Sequence, residues 1–106
     1  MSEWVTVAKV GEIAPGGFRT VDVDGASVAV FNVGGEFFAI EDVCTHDGGQ
    51  LTGGTVEGDQ VECPRHGARF CIRTGAALTA PAYEPTAKFP VRIENGEVRV
   101  RDDRWD

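Results

Sequence analysis

Apolar and polar residues alternate along this chain in short runs broken by glycine-containing turns, a period-two pattern that predicts strands. Trp4–Val10 alternates loosely and reads as a first strand, and Gly11–Gly17, with Pro15, Gly16 and Gly17, reads as a loop. Phe18–Val23 sets Phe18, Thr20 and Asp22 against Arg19, Val21 and Val23. Asp24-Gly25 then makes a hairpin turn, because both central positions want positive φ. Ser27–Val33 follows as an apolar strand, Gly34-Gly35 turns it, and Glu36–Glu41 runs back with Phe37 and Phe38 as core and face residues.

The periodicity stops at Val43–Gly54, where Gly48, Gly49, Gly53 and Gly54 mark a loop. Thr55–Glu57 and Gln60–Glu62 form a short hairpin around Gly58-Asp59. Cys63–Gly67 is a second loop, Ala68–Ile72 is strand-like, and Leu78–Pro85 is a longer loop with Pro81 and Pro85. Ala87–Glu94 and Glu97–Arg101 make a last hairpin through Asn95-Gly96, with Phe89, Val91 and Ile93 on one side and Lys88, Arg92 and Glu94 on the other. The tail is polar apart from Trp105. No segment reads as a helix, and the fold class is all-β.

The length of 106 residues fits one domain, spanning 1–106. A core this small leaves room for a bound metal centre to contribute much of the stability. No apolar run approaches the roughly 20 residues that a bilayer helix requires. The start of the chain has no basic stretch followed by an apolar one, so a cytoplasmic protein is expected. A net charge of −7 disfavours nucleic acid and anionic membranes as partners and suits a basic patch on another protein. Three cysteines, an odd number, fit metal-bound thiolates in a reducing compartment better than a disulfide scaffold.

Both histidines stand beside cysteines, in Cys44-Thr45-His46 and Cys63-Pro64-Arg65-His66, with sixteen residues between His46 and Cys63. Each pair follows an expected strand and opens a loop. Two loops that each offer one thiolate and one imidazole make a metal site of Cys44, His46, Cys63 and His66. Structural zinc sites usually present two cysteines and then two histidines, each pair a few residues apart. The order here is Cys, His, Cys, His with a single residue in the first spacing, which matches zinc poorly. A [2Fe–2S] cluster with two cysteines on one iron and two histidines on the other matches well.

At these residues the chain resembles the Rieske family, whose motif is Cys-x-His, a gap of about sixteen or seventeen residues, and Cys-x-x-His. The resemblance covers most of the chain. It implies stacked antiparallel sheets with a small cluster-binding subdomain over about 43–86, Cys44 and Cys63 on the inner iron, and His46 and His66 on the outer one. Two ferric ions, two sulfides and two thiolates sum to zero, so the reduced cluster carries −1.

High-potential Rieske proteins carry an extra cysteine in each loop, joined as a disulfide, and hydroxyl donors two and four residues after the second His. Here those two positions are Ala68 and Phe70, and Cys71 has no fourth cysteine to pair with. The resemblance therefore implies a low potential, near about −150 mV, like that of the ferredoxins serving bacterial aromatic-ring dioxygenases. Its partners would be a flavoprotein NAD(P)H reductase and a terminal oxygenase. Both histidines are committed and no second domain holds a mononuclear iron, so the chain is expected to relay electrons and not to be an enzyme. A role in iron–sulfur assembly, a redox or iron sensor, and structural zinc are the competing readings.

Other residues carry weaker expectations. Cys71 reads as a buried strand residue, although alternation places it with Arg69 and Arg73. Asp42, Asp47 and Glu62 read as docking charges or as solvated loop residues, and Arg65 and Arg69 as charges offsetting the reduced cluster or as cover. Pro81 and Pro85 read as fixing a loop that shields it.

Overall fold

The computed structural model describes residues 3–45, 48–65, 67–80 and 82–104. His46, Asp47, His66, Pro81 and Trp105, all named above, lie outside the described residues. The described strands are β1 (Val5–Lys9), β2 (Phe18–Val23), β3 (Ala26–Val33), β4 (Glu36–Glu41), β5 (Val56–Glu57), β6 (Gln60–Glu62), β7 (Arg69–Cys71), β8 (Lys88–Phe89), β9 (Val91–Glu94) and β10 (Glu97–Val100). A 3-10 turn at Val10–Glu12 shortens the first expected strand; the Lys9 amide donates to the Glu12 carboxylate at 2.7 Å.

The strands form three antiparallel sheets, in the orders β1-β10-β9, β2-β3-β4-β8 and β5-β6-β7. The hairpins fall where their turn residues predict, and Asp24 and Asn95 take φ of 50° and 53°.

Along β3 the middle sheet is covered on both faces, while the β2 edge leaves Phe18, Arg19, Thr20 and Asp22 exposed. Val28, Val30, Ala39 and Phe89 pack with Ala8, Ile13, Val98 and Val100, which come from or beside the β1-β10-β9 sheet. Ala29, Phe31 and Ile40 pack the other way, with Cys44, Leu51, Val61, Cys63, Phe70 and Ile72. This two-sided burial explains why Val28–Asn32 is a near-continuous apolar run instead of an alternating one. The one polar member, Asn32, is buried but satisfied: its amide donates to the Ile13 carbonyl at 2.8 Å, and its side-chain oxygen accepts from the Gly35 amide at 2.8 Å.

One expectation fails. The single strand expected over residues 87–94 is broken at Pro90, which has no N–H to give to a ladder. β8 pairs with β4 in the middle sheet, and β9 pairs with β10 in the first. Phe89 is therefore buried, while Ile93, expected on the same face, is 49% exposed.

After β10 the chain returns to the core. Asp102 is fully buried, and both its oxygens accept from the Arg104 guanidinium at 2.9 Å, with the Arg104 amide adding a third bond at 3.0 Å. Arg104 lies over the Phe89 ring at 5.2 Å. Hydrogen bonding to Arg104 lowers the Asp102 pKa to about 2, against the opposing effect of burial. A depressed carboxyl pKa contributes stability above the ordinary carboxylate range, and that stability is lost as pH falls toward the folded value. Asp102→Asn should therefore melt below the parent protein at neutral pH, and the gap should close between about pH 4 and pH 2. Thermal melts of both proteins across that window check this.

Candidate metal centre

Cys63 follows β6 directly, and Cys44 lies three residues past β4. The two loops they open have the same backbone construction. The Cys44 amide donates to the Gly49 carbonyl at 2.7 Å, and the Cys44 carbonyl accepts from the Gly48 amide at 2.7 Å. The Cys63 amide donates to the Ala68 carbonyl at 2.6 Å, and the Cys63 carbonyl accepts from the Gly67 amide at 3.1 Å. Each cysteine thus closes a loop through its residues four and five ahead. The residue four ahead is glycine in both, with φ of 78° at Gly48 and 74° at Gly67. A side chain in that left-handed region costs roughly 1–2 kcal/mol, so glycine is the fitting residue.

Both cysteines are buried, Cys44 at 0% and Cys63 at 1% exposure, and both belong to one apolar cluster with Leu51, Ala68, Phe70 and Ala82. The fold has therefore brought together two thiols whose loops are 19 residues apart in sequence. Sulfur donors buried among apolar side chains suit a soft metal centre, and the donor chemistry of the described residues fits an iron–sulfur cluster. No group of three or more His, Cys, Asp or Glu gathers among the described residues, which exclude both histidines. Ala68 and Phe70 are fully buried and bring no hydroxyl.

The loops are fastened by polar contacts that the sequence does not advertise. Asp42, only 5% exposed, accepts from the Leu51 and Thr52 amides at 2.8 Å each and from the Thr52 hydroxyl at 2.6 Å. It is neither a docking charge nor a solvated residue; it holds the far end of the first cysteine loop beside β4. The 78–86 loop is tied to β7 by Leu78 N to Arg69 O at 2.8 Å and by Arg69 N to Thr79 Oγ1 at 2.9 Å. Thr86 bonds the Gly75 and Glu41 carbonyls at 2.9 and 3.0 Å. The Thr45 hydroxyl, one residue past Cys44, donates to the Glu84 carbonyl at 2.6 Å.

Arg69 is engaged elsewhere. It pairs with Glu57 at 2.6 Å and Glu62 at 3.3 Å on the small sheet, and the Glu57 hydrogen bond raises its pKa further. Its charge is thus matched locally, and Glu62 is matched with it. Cys71, expected to be buried, is half-buried and not disulfide-bonded, because it shares the alternation with Arg69 and Arg73. Pro85 is exposed.

Residues 3–90 match the family model described as the Rieske [2Fe-2S] domain. The chain is 47% identical over 92 residues to the biphenyl dioxygenase ferredoxin subunit of Pseudomonas sp. (strain KKS102), covering 86% of this chain and 84% of that one. Its fold superposes on the ferredoxin of carbazole 1,9a-dioxygenase from Nocardioides aromaticivorans IC177 with a TM-score of 0.89 and 32% identity, covering 94% of this chain and 98% of the other. A second match, with a TM-score of 0.88 and 40% identity over 92% of each chain, comes from a complex of reduced oxygenase and oxidized ferredoxin in carbazole 1,9a-dioxygenase.

Asp42→Asn keeps the shape of the anchor but removes its charge and turns one acceptor into a donor facing N–H and O–H groups. Hydrogen bonds to charged groups contribute about 1.5–3 kcal/mol, so a loss of that order is expected in a urea titration.

Proposed function

This chain belongs to the Rieske [2Fe–2S] domain family, and from that premise we propose that Cys44 and Cys63 ligate one iron of its cluster and His46 and His66 the other. It is an electron carrier, the ferredoxin component of an aromatic-ring dioxygenase system, and not itself the catalyst. When bound, the cluster accepts and releases one electron. The protein's part is to hold it dry on the cysteine side and to present it to partners.

The observation that carries the ligand assignment is the matched pair of cysteine loops, closed by equivalent backbone bonds with both cysteines in one apolar cluster. His46 and His66 lie within these two loops in sequence, which gives each loop one sulfur and one nitrogen donor. We read residues 1–106 as one domain with 43–86 as its cluster-binding part. That reading is supported by the cluster that joins Leu51, Val61, Phe70, Ile72 and Ala82 to the middle sheet. The cytoplasm is the compartment that suits it, since metal-bound thiolates need a reducing environment. No helix among the described residues is long and apolar enough to cross a membrane.

On this reading a flavoprotein NAD(P)H reductase supplies the electron and a terminal oxygenase receives it; a ferredoxin in complex with an oxygenase, as in the carbazole 1,9a-dioxygenase structure above, supports the second partner. The cysteine end of the molecule offers such a partner Leu78 and Tyr83, 44% and 83% exposed, on the tied-down 78–86 loop. Exposed aromatics on a fixed loop are effective anchors.

Visible and EPR spectra before and after dithionite test the centre. Bleaching, with a signal averaging near g of about 1.9 and a midpoint near about −150 mV, is expected. Cys44→Ser and Cys63→Ser should each lose the spectrum, while a colourless protein holding stoichiometric zinc would overturn the reading. Tyr83→Ala should keep the spectrum and weaken oxygenase reduction by about tenfold, measured as the ferredoxin concentration for half-maximal rate.

A further inference from the structure

We propose that the outer edge of β9 is a docking edge for a second copy of this chain, whose own β9 pairs with it antiparallel about a two-fold axis at Ile93.

β9 ends the β1-β10-β9 sheet, and no further strand lies beside it among the described residues. Backbone groups in an antiparallel ladder face one neighbour and then the other, residue by residue. The Arg101 amide donates to the Pro90 carbonyl at 3.4 Å, so Pro90, Arg92 and Glu94 turn their backbone toward β10. Ile93 therefore turns its N–H and C=O outward, and its side chain is 49% exposed. An edge of this kind is a template for another chain. It is four residues long, with Pro90 before it and the Asn95-Gly96 turn after it, which suits one short partner strand.

The charges name the partner. Within one copy the rungs are like-charged: Arg92 stands opposite Arg99, and Glu94 opposite Glu97. Like charges directly across a ladder are destabilising. One copy offsets them by a diagonal pair, Arg99 to Glu94 at 2.8 Å, and by pairs along the strands, Arg92 to Glu94 at 3.3 Å and Arg99 to Glu97 at 2.7 Å. A second β9 running antiparallel about Ile93 sets Arg92 against the second copy's Glu94, and Glu94 against the second copy's Arg92. Each basic rung then continues into an acidic one. The two Ile93 residues face each other, exchange a pair of N–H···O bonds and cover each other's side chains. A parallel copy in the same register would set like charge against like. The match is self-complementary, as a two-fold contact between identical chains must be.

The net charge of −7 opposes the meeting of two copies and the strand is short, so the association is weak and transient. It leaves the metal end free, because the β1-β10-β9 sheet covers the face of the middle sheet opposite to the one that packs Cys44 and Cys63. The pairing is independent of the Rieske reading, since it uses no residue of the metal end.

Sedimentation velocity of the intact, cluster-loaded chain from about 1 μM to about 1 mM tests this, with a shift from one copy to two expected as concentration rises. Arg92→Glu and Glu94→Arg should each weaken the association about tenfold, because each sets like charges across the axis. An equal mixture of the two variants should restore it, since one copy then brings two acids and the other two bases. Ile93→Lys should leave single copies. Circular dichroism and the visible spectrum of every variant should match the parent's. A chain that stays single at about 1 mM overturns the proposal. A dimer that none of the variants weakens lies at another surface and overturns it too, as does a mixture that stays dissociated. Species larger than two copies overturn the two-fold arrangement.

Discussion

The central strand β3 must be buried on both faces, and the rest of the molecule is arranged to satisfy that constraint. Val28 and Val30 face one way and Ala29 and Phe31 the other, so β3 needs a cover on each side. At about 25 cal/mol per Å² of apolar surface removed from water, neither face could be left wet in a chain of 106 residues. The β1-β10-β9 sheet covers one face. The other is covered by a segment with little regular structure of its own, whose short strands β5 to β7 span two or three residues each. The cysteines are part of that cover: Cys44 and Cys63 pack in the same cluster as Phe31 and Ile40. The metal-binding end is therefore one half of the core and not an appendage to it.

A cover built from loops has to satisfy its backbone without ladders, and this governs how the site is made. The cysteine loops meet the demand internally, each bonding its own residues four and five ahead. Side chains complete the task. Asp42 takes two amides and a hydroxyl, while Thr45, Thr79 and Thr86 each bridge to another segment. The result is a set of loops with few alternatives open to them, as an electron carrier requires. Little rearrangement between the two redox states means little reorganisation to be overcome in each transfer.

What could be read from the sequence and what could not divides along physical lines. The hairpins at Asp24-Gly25 and Asn95-Gly96 were legible because their turns depend on neighbouring residues alone. The cysteine and histidine spacing was legible because ligand chemistry restricts both residue type and order. Pro90 was passed over, since its effect is to move the chain from one sheet to another, and alternation through Phe89, Val91 and Ile93 continues across it regardless. Asp42 read as one more charge beside a loop. Two of its three partners are main-chain amides nine and ten residues on, which carry no residue-type signal. Arg69 read as a charge near the cluster, and it is occupied by Glu57 and Glu62 because the small sheet brings their strands side by side. The tertiary bonds of Thr45 and Thr86 had no signal at all.

The distribution of charge follows from the same arrangement and bears on how partners meet this protein. The chain carries −7 overall, yet the described exposed residues of the three loops at the cysteine end include only Arg65 and Glu84 as charged groups. The remainder, among them Gln50, Pro64, Leu78, Ala80, Tyr83 and Pro85, are neutral. On the small sheet the acids are paired with Arg69 and Arg73. The long-range field is thus acidic, while the described exposed residues of these loops carry one charge of each sign. Such a division assigns different work to the two: the net charge raises the rate of encounter with a basic partner and is screened by salt, whereas the final fit depends on apolar contact and is not. A carrier that must bind, discharge and leave gains from that separation, because fast arrival does not then require tight holding.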